Sequence, residues 1–326
     1  MRYVAARGSG GPEVLCVAEM PTPRPATTEV LVAVEAAGVS RADAMQRSGS
    51  YPPPPGASPI LGLEVAGTIA ALGRGVTQWS VGDRVCALCN GGGYAEFTAV
   101  PAGQVLPMPE RWSAIEAATL PENAFTVYDN IVTRAHLVAG ETILVHGGTS
   151  GIGSLAIMFA RALGARAFAT AGSDEKCKAC LRMGAEAAIN YHTTDFVPDV
   201  DRLTHGRGVD VVLDIVGGDY IGRDLRAIAL DGRIVSIATA RGRAAEIDLG
   251  RLIVRRATIL GSSLRPRSAP EKAAIARALA EHIWPLLPKR DPIAPVVDSI
   301  YPFERVVEAH TRLESGEHVG KIVLTP

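Results

Sequence analysis

The apolar run Ile143-Leu144-Val145 breaks into His146-Gly147-Gly148-Thr149-Ser150-Gly151-Ile152-Gly153, and an alanine-rich helical pattern from Ser154 to Gly164 follows at once. Strand, tight turn and helix in that order are how a doubly wound parallel sheet receives a dinucleotide pyrophosphate. The turn brings backbone close to the phosphates, and the helix start offers unpaired N–H donors and a partial positive charge. Aligned to the G-x-G-x-x-G fingerprint, the chain reads Gly148, Ser150, Gly153, with serine for the middle glycine. Glycines also mark turns chosen only for packing, so the fingerprint alone is weak; its strand–helix setting favours a nucleotide site. Ser150 keeps the turn tight and adds a hydroxyl able to bond a phosphate oxygen.

A second apolar run, Ala165 to Ala171, ends in Gly172-Ser173-Asp174-Glu175-Lys176. A site for NADH places a carboxylate at the end of this strand to accept from the ribose 2′-hydroxyl. Small residues stand there instead, with a cation at Lys176. A carboxylate would repel a 2′-phosphate, whereas Ser173 and Lys176 can bond one, so the pattern favours NADPH. The alternative for Lys176 is a solvated residue in a first helical turn. Asp174 and Glu175 read as N-terminal helix charges rather than ribose ligands.

The chain has 326 residues and a formal net charge of −1, which gives no electrostatic reason to expect nucleic acid or a membrane as partner. No apolar run reaches transmembrane length and the start lacks a signal-peptide core, so a cytoplasmic protein is expected. Five cysteines, an odd count, argue against a disulfide framework. The pairs Cys86/Cys89 and Cys177/Cys180 are far apart and on different elements, and they read as buried small hydrophobes rather than zinc half-sites.

Short strand patterns with Gly and Pro between them fill the first part: Glu29–Val39, Val65–Gly73, Ser80–Val85 and Tyr94–Val100. They suggest a partly closed β-barrel. From Thr142 to Gly261 strands and helices alternate, with Val209–Asp214 and Gly232–Ile237 as further buried parallel strands. The tail departs from that alternation: helix at Ala269–Leu287, strand at Ala294–Ile300, helix at Phe303–Glu314, strand at Val319–Leu324. The economical reading is α/β, with a barrel domain of residues 1–122 and 266–326 and a nucleotide domain of residues 123–265. The reactive end of the cofactor would lie in the cleft between them.

The stretch Gly38-Val39-Ser40-Arg41-Ala42-Asp43 through Tyr51 and Pro52–Pro55 resembles the Asn-Arg-Ala-Asp region of the quinone oxidoreductases, the zinc-free branch of the medium-chain dehydrogenase/reductase superfamily. The resemblance continues through Gly62-Leu63-Glu64, Val81-Gly82-Asp83-Arg84-Val85, Gly91-Gly92-Gly93-Tyr94-Ala95-Glu96 and Gly320-Lys321-Ile322-Val323-Leu324, nearly end to end. Its subgroup resembles the p53-inducible NADPH quinone oxidoreductase type. The resemblance implies a GroES-like barrel domain and a Rossmann domain, homodimers, and NADPH-dependent reduction of quinones or related electrophilic carbonyls. It implies a pyrophosphate turn at Ser150, Gly151 and Ile152, and a 2′-phosphate pocket of Gly172, Ser173, Lys176 and Tyr191. Thr126, Val216, Ala238, Thr239, Ser263 and Leu264 would border the nicotinamide half, Tyr51 would face the substrate, and Lys321 would reach toward the cofactor. Zinc-dependent members carry Cys-His and Gly-His-Glu stretches; here Ser40-Arg41 and Gly62-Leu63-Glu64 replace them, losing a thiolate and an imidazole, so no metal is expected. Ser40 also replaces the asparagine usual in quinone oxidoreductases, with only a hydroxyl to offer substrate or ribose.

Hydride transfer to a quinone needs orientation and water exclusion, since the cofactor carries the chemistry. Tyr51 is the candidate to donate to or position the acceptor, or else an apolar wall. Tyr191 would bond the 2′-phosphate or stack on adenine, or else is a partly buried surface tyrosine; Thr126 would bond the nicotinamide carboxamide, or else serves helix packing. His146 reads as a core histidine at a strand end. Arg255, Arg256, Arg265 and Arg267 read as a solvated basic face, with steering of an anionic cofactor as the alternative. The expected function is an NADPH:quinone reductase acting on a small molecule. The alternatives are a reductase of enones or enals, and a nucleotide-binding protein without turnover.

Overall fold

Every residue of Val209–Asp214 is buried, as a parallel strand covered on both faces requires. It sits near the middle of a six-stranded sheet in the order Ala187–Asn190, Arg166–Ala171, Thr142–Val145, Val209–Asp214, Ile228–Ser236, Thr258–Gly261. All neighbours pair in parallel. By chain position the order is 3-2-1-4-5-6, so it reverses beside Thr142–Val145, where a doubly wound sheet opens its ligand crevice. Helices Gly151–Ala162, Asp174–Arg182, Phe196–Leu203 and Tyr220–Ala227 link the strands. The first of these is buried continuously from Gly153 to Ala160, and its small residues let it lie close to the sheet. Leu144, Phe168, Phe196, Val212, Leu225 and Ile234 pack in one core.

This computed structural model describes residues 1–326. The chain divides into two compact units: Met1–Phe125 with Leu264–Asp291 and Pro295–Pro326, and Thr126–Ser263 with Pro292–Ala294. The parallel sheet forms the second unit. The first is built on the eleven-residue strand Glu29–Val39, one edge of which pairs with Glu64–Leu72. Its other edge is shared, Phe97–Pro101 pairing with residues 29–33 and Lys321–Thr325 with residues 37–39. Register shifts at Leu31/Val32 and Val34/Ala36 bend the strand between these partners, which is how an open sheet curls toward a barrel. At Gly67 a Cβ would lie 2.0 Å from the Ala33 carbonyl oxygen, so the bend needs glycine there. Both units together are α/β, as the alternation of elements implies. No helix is long and apolar enough to cross a membrane.

The tail departs from its expected boundaries for local reasons. The helix begins at Ala269 behind a capping box of Ser268 and Glu271 but ends at His282. Pro285 then forces the 3₁₀ turn Trp284–Lys289. That turn is anchored by indole donors: Trp112 to the Leu287 carbonyl at 3.2 Å and Trp284 to the Pro107 carbonyl at 2.7 Å. The following strand is Val297–Pro302, starting beyond Pro295, and the last helix is Val306–Ser315 after a 3₁₀ turn at Phe303–Arg305.

Candidate functional site

The strand Thr142–Val145 ends at a turn whose glycines are fixed by contact. Gly147 has φ of +65°. A Cβ on Gly153 would meet the Gly147 carbonyl oxygen at 2.2 Å, and one on Gly148 would meet Cys180 Sγ at 2.7 Å. Ser150, at the place of the missing glycine, is the N-cap of helix Gly151–Ala162, where its Oγ accepts from the Gly153 N–H at 2.9 Å. That leaves the hydroxyl proton and the N–H groups of Gly151 and Ile152 directed at no intrahelical acceptor, a set of donors suited to phosphate oxygens. His146 is fully buried, Nδ1 against Thr170 Oγ1 at 3.0 Å and Nε2 against Asp224 Oδ1 at 2.8 Å. It is a core histidine that holds the turn from behind; burial raises Asp224 above the usual carboxylate range.

Beside the turn, the end of Arg166–Ala171 gathers three of the expected pocket residues. Ser173 caps helix Asp174–Arg182, its Oγ accepting from the Lys176 N–H at 3.2 Å. The Tyr191 N–H donates to the Ala171 carbonyl at 3.1 Å, and a Cβ on Gly172 would lie 2.7 Å from the Tyr191 hydroxyl. The Tyr191 phenol is raised by partial burial and by Tyr220, against the opposing charge of Arg241. Arg241, whose guanidinium lies 5.5 Å from the Tyr220 ring centroid, was not legible as a neighbour of this pocket. Asp174 is held by Asn190, which donates to Oδ1 at 2.8 Å. Lys176 is half-buried on the same helix.

At the ends of Val209–Asp214 and Ile228–Ser236, the buried Asp214 carboxylate accepts from the Val216 N–H at 2.7 Å and the Gly217 N–H at 3.0 Å. Val216 in turn accepts from the Arg241 N–H at 2.8 Å, which brings the exposed Ala238 and Thr239 beside Gly217. Ser263 is exposed beyond the last strand of this sheet, and Leu264 follows it as the first residue of the other unit's second segment. Thr126 is buried, and its carbonyl accepts from Asn130 Nδ2 at 2.7 Å where the α-helix Pro121–Val127 passes into a π-helical turn, Tyr128–Arg134. Such turns recur at functional sites.

In the barrel unit, Ser40 and Lys321 lie at the centre of a buried polar network. Lys321 Nζ donates to Ser40 Oγ at 3.0 Å and stands 2.5 Å from Glu64 Oε1, at ion-pair distance but without hydrogen-bond alignment. The other Glu64 oxygen accepts from the Glu122 N–H at 2.9 Å. Asp43 accepts from the Ser40 N–H at 2.9 Å, the Gly62 N–H at 2.9 Å and the Tyr94 hydroxyl at 3.1 Å. Burial raises Asp43 and Glu64; it pulls on Lys321 in the other sense, but Glu64 and Glu122 outweigh it and leave the ammonium raised. Asp43, Glu64 and Glu122 were not assigned from sequence, although Gly62-Leu63-Glu64 marked the spot. No group of three or more His, Cys, Asp or Glu side chains is gathered to hold a metal ion. Cys86, Cys89, Cys177 and Cys180 are all buried, and burial pushes each thiol up, Cys180 to about 12.

Tyr51 is half-exposed, its N–H donating to the Met45 carbonyl at 3.1 Å. Arg265 departs from the solvated face expected for it: only 7% exposed, it places its guanidinium 5.1 Å from the Tyr51 ring centroid. Arg256 is exposed and paired with Asp231.

Residues 26–110 match the family model described as an alcohol dehydrogenase GroES-like domain, and residues 151–280 the one described as a zinc-binding dehydrogenase. The chain is 32% identical to the quinone oxidoreductase of Rattus norvegicus over 330 residues, 99% of this chain and 97% of that protein. Among solved structures it is similar to Escherichia coli quinone oxidoreductase complexed with NADPH, at 29% identity and a TM-score of 0.84 over all of both chains. It is also similar to the JamJ enoyl reductase in its apo form, at 26% identity and a TM-score of 0.87 over 99% of this chain and 98% of that one.

The buried network generates a pH prediction. Burial, with Glu64 and Asp43 nearby, pushes Glu122 from its ordinary 4.5 up to about 7, against the pull of Lys321. Within that window the folded chain holds a proton that the unfolded chain has released, so stability falls as pH rises through it. Urea midpoints measured from pH 4.5 to pH 8 should decline for the parent protein, and Glu122→Gln should remove that part of the slope. An unaltered slope in the variant would reject the assignment.

Proposed function

Because the chain belongs to the quinone oxidoreductase family of the medium-chain dehydrogenases/reductases and is an oxidoreductase of the nicotinamide-dependent kind, we propose that it transfers hydride from NADPH to a quinone without a catalytic zinc. The observation that carries the cofactor choice is the strand end at Ala171. Gly172, Ser173 and Tyr191 converge there, with Lys176 one helical turn on, and the nearest carboxylate, Asp174, is bonded to Asn190.

The bound cofactor supplies the hydride, and with one proton taken up the quinone leaves as hydroquinone. The chain's own residues bind and orient. Ser150 donates its hydroxyl proton, and Gly151 and Ile152 their N–H groups, to the pyrophosphate. Ser173, whose oxygen already accepts from Lys176 N–H, keeps its proton for the 2′-phosphate alongside Lys176 and Tyr191. Thr126, Val216, Ala238, Thr239, Ser263 and Leu264 frame the nicotinamide half. Tyr51 positions the acceptor. Ser40 accepts from Lys321, which leaves the Ser40 hydroxyl proton to point at an acceptor oxygen or the ribose. Lys321 thus acts through Ser40.

Zinc independence is supported by the same contact. A fixed ammonium stands against Ser40 Oγ and Glu64, and Leu63 offers no imidazole, so a second cation there would be repelled. A second reading, reduction of an enone or enal, is favoured by the likeness to an enoyl reductase, since both acceptors take hydride into an activated π-system.

Homodimerisation is our third proposal. Strand Thr258–Gly261 ends the parallel sheet with one edge unpaired, and the helix that precedes it in the chain, Leu249–Arg255, carries Ile253 and Val254, which are 73% and 74% exposed. An open edge, with exposed apolar side chains on the helix leading to it, suits a second copy of the same strand across a two-fold axis.

Three outcomes are expected. Lys176→Ala should weaken NADPH about tenfold or more, the loss of one charge-assisted bond, and NADH by less than about twofold in fluorescence titration; equal losses reject the 2′-phosphate role. Assayed on chelator-treated protein with quinone and enone panels, Tyr51→Phe should lower kcat/KM by roughly three- to tenfold with NADPH affinity intact. Restoration of rate by added zinc would overturn zinc independence, and a higher kcat/KM across the enone panel would select the second reading. Light scattering should give a dimer mass for the parent and a monomer for Ile253→Glu with Val254→Glu; a parent monomer rejects the interface.

A further inference from the structure

Two cations are buried side by side in the barrel unit with only neutral hydrogen-bond partners, the charge of Asp43 reaching Arg265 without a bond between them. Lys272 is 2% exposed and Arg265 is 7% exposed. Lys272 Nζ donates to Asn90 Oδ1 at 2.7 Å and to the Arg265 carbonyl at 2.9 Å. Arg265 donates to Gln46 Oε1 and, at 3.4 Å, to the Tyr51 carbonyl, while its Nε is buried without a partner. The one carboxylate adjacent in sequence, Glu271, is turned to Ser268, accepting from its N–H at 2.8 Å and its hydroxyl at 2.6 Å.

Such a pair is costly. A buried ion is tolerated when an opposite charge or a full set of hydrogen bonds compensates it, and like charges add repulsion. The repulsion registers on Lys272, which burial and Arg265 together pull down to about 8 against the charge of Glu271. Lys272 also lies in the first turn of helix Ala269–His282, where the backbone itself is positive. Around the two cations stand the half-exposed Gln46, Tyr51 and Asn90, with the Arg265 guanidinium 5.1 Å from the Tyr51 ring centroid.

We propose that Arg265 and Lys272 form a seat for an acidic substituent of the acceptor, so that the chain takes quinones or enones bearing a carboxylate or sulfonate in preference to neutral ones. The proposal rests on the reading above that Tyr51 meets the acceptor. The planar fork of Arg265 matches a two-oxygen anion, and Lys272 adds a point charge behind it. Asp43 and Glu271 act on the pair without a hydrogen bond to either cation, and the anion in direct contact then comes with the substrate.

The test has a kinetic arm and a binding arm. In the first, kcat/KM is measured for 1,4-naphthoquinone and for its 2-sulfonate. The ratio between them, compared from protein to protein, cancels the intrinsic reactivity of the two acceptors. Arg265→Gln and Lys272→Met should each lower the sulfonate-to-neutral ratio about tenfold, the weight of one charge-assisted contact, and Arg265→Lys should recover part of it. In the second arm, calorimetry compares naphthalene-2-sulfonate with 2-naphthol, neither of which is reduced. The sulfonate should bind the parent at least about tenfold more tightly, and Arg265→Gln should erase the difference. An unchanged ratio together with no sulfonate preference in binding overturns the seat while leaving quinone reduction standing. Sulfonate binding that depends on Arg265 in a protein that reduces neither quinone keeps the seat and removes the quinone reading. NADPH affinity that falls in Arg265→Gln by as much as the sulfonate term identifies a cofactor phosphate as the anion and overturns the proposal.

Discussion

The contact of Lys321 with Glu64 holds the barrel unit together in a way that no local element does. It joins the last strand of the chain to a strand laid down early in it, and through the Glu122 N–H it reaches the start of the helix that leads out of the unit. Neither partner is solvated, and removing one would leave the other a buried charge without its closest counter-charge, a change that costs about 3–5 kcal/mol in buried pairs. The tail must therefore come back to the N-terminal segment for the fold to close. The same ammonium sets the hydrogen-bond direction at Ser40, so a structural necessity and the orientation of a site hydroxyl have one cause.

Three serines follow a common design. Ser40, Ser150 and Ser173 each stand at the N-terminus of a helix, and each oxygen accepts one bond from the chain: from Lys321, from Gly153 N–H and from Lys176 N–H. A hydroxyl that has accepted still has a proton to give. The accepted bond fixes the place of each oxygen, and its proton is left to turn toward another acceptor. This explains how serine can stand where the glycine fingerprint has its middle glycine: the turn loses no tightness and gains a cap.

The parallel sheet and its glycine turn were legible because their signals are local. Continuous apolar runs such as Val209–Asp214 have one comfortable environment, and a glycine turn between strand and helix has few geometries. The grouping of Gly172, Ser173 and Tyr191 at one strand end was expected from the family resemblance and from the absence of a carboxylate there. What could not be read lies in contacts among distant residues. Nothing near Glu122 announces Lys321, and nothing in the run of arginines from Arg255 to Arg267 separates Arg265, folded under Tyr51, from Arg256, which lies in solvent against Asp231. The tail helix was drawn too long because the apolar periodicity continues past Trp284 although Pro285 removes the N–H that the helix needs.

Quinones and enones are soft electrophiles that arylate or alkylate thiolates. Of the cysteines, Cys86, Cys89, Cys177 and Cys180 are shielded from solvent and held in the protonated form, the less nucleophilic one. At those four positions the chain offers such reagents neither access nor a nucleophile. Adduct formation is thereby blocked at those four positions through packing alone, and Cys16, half-exposed on strand Leu15–Glu19, is the one thiol left within reach.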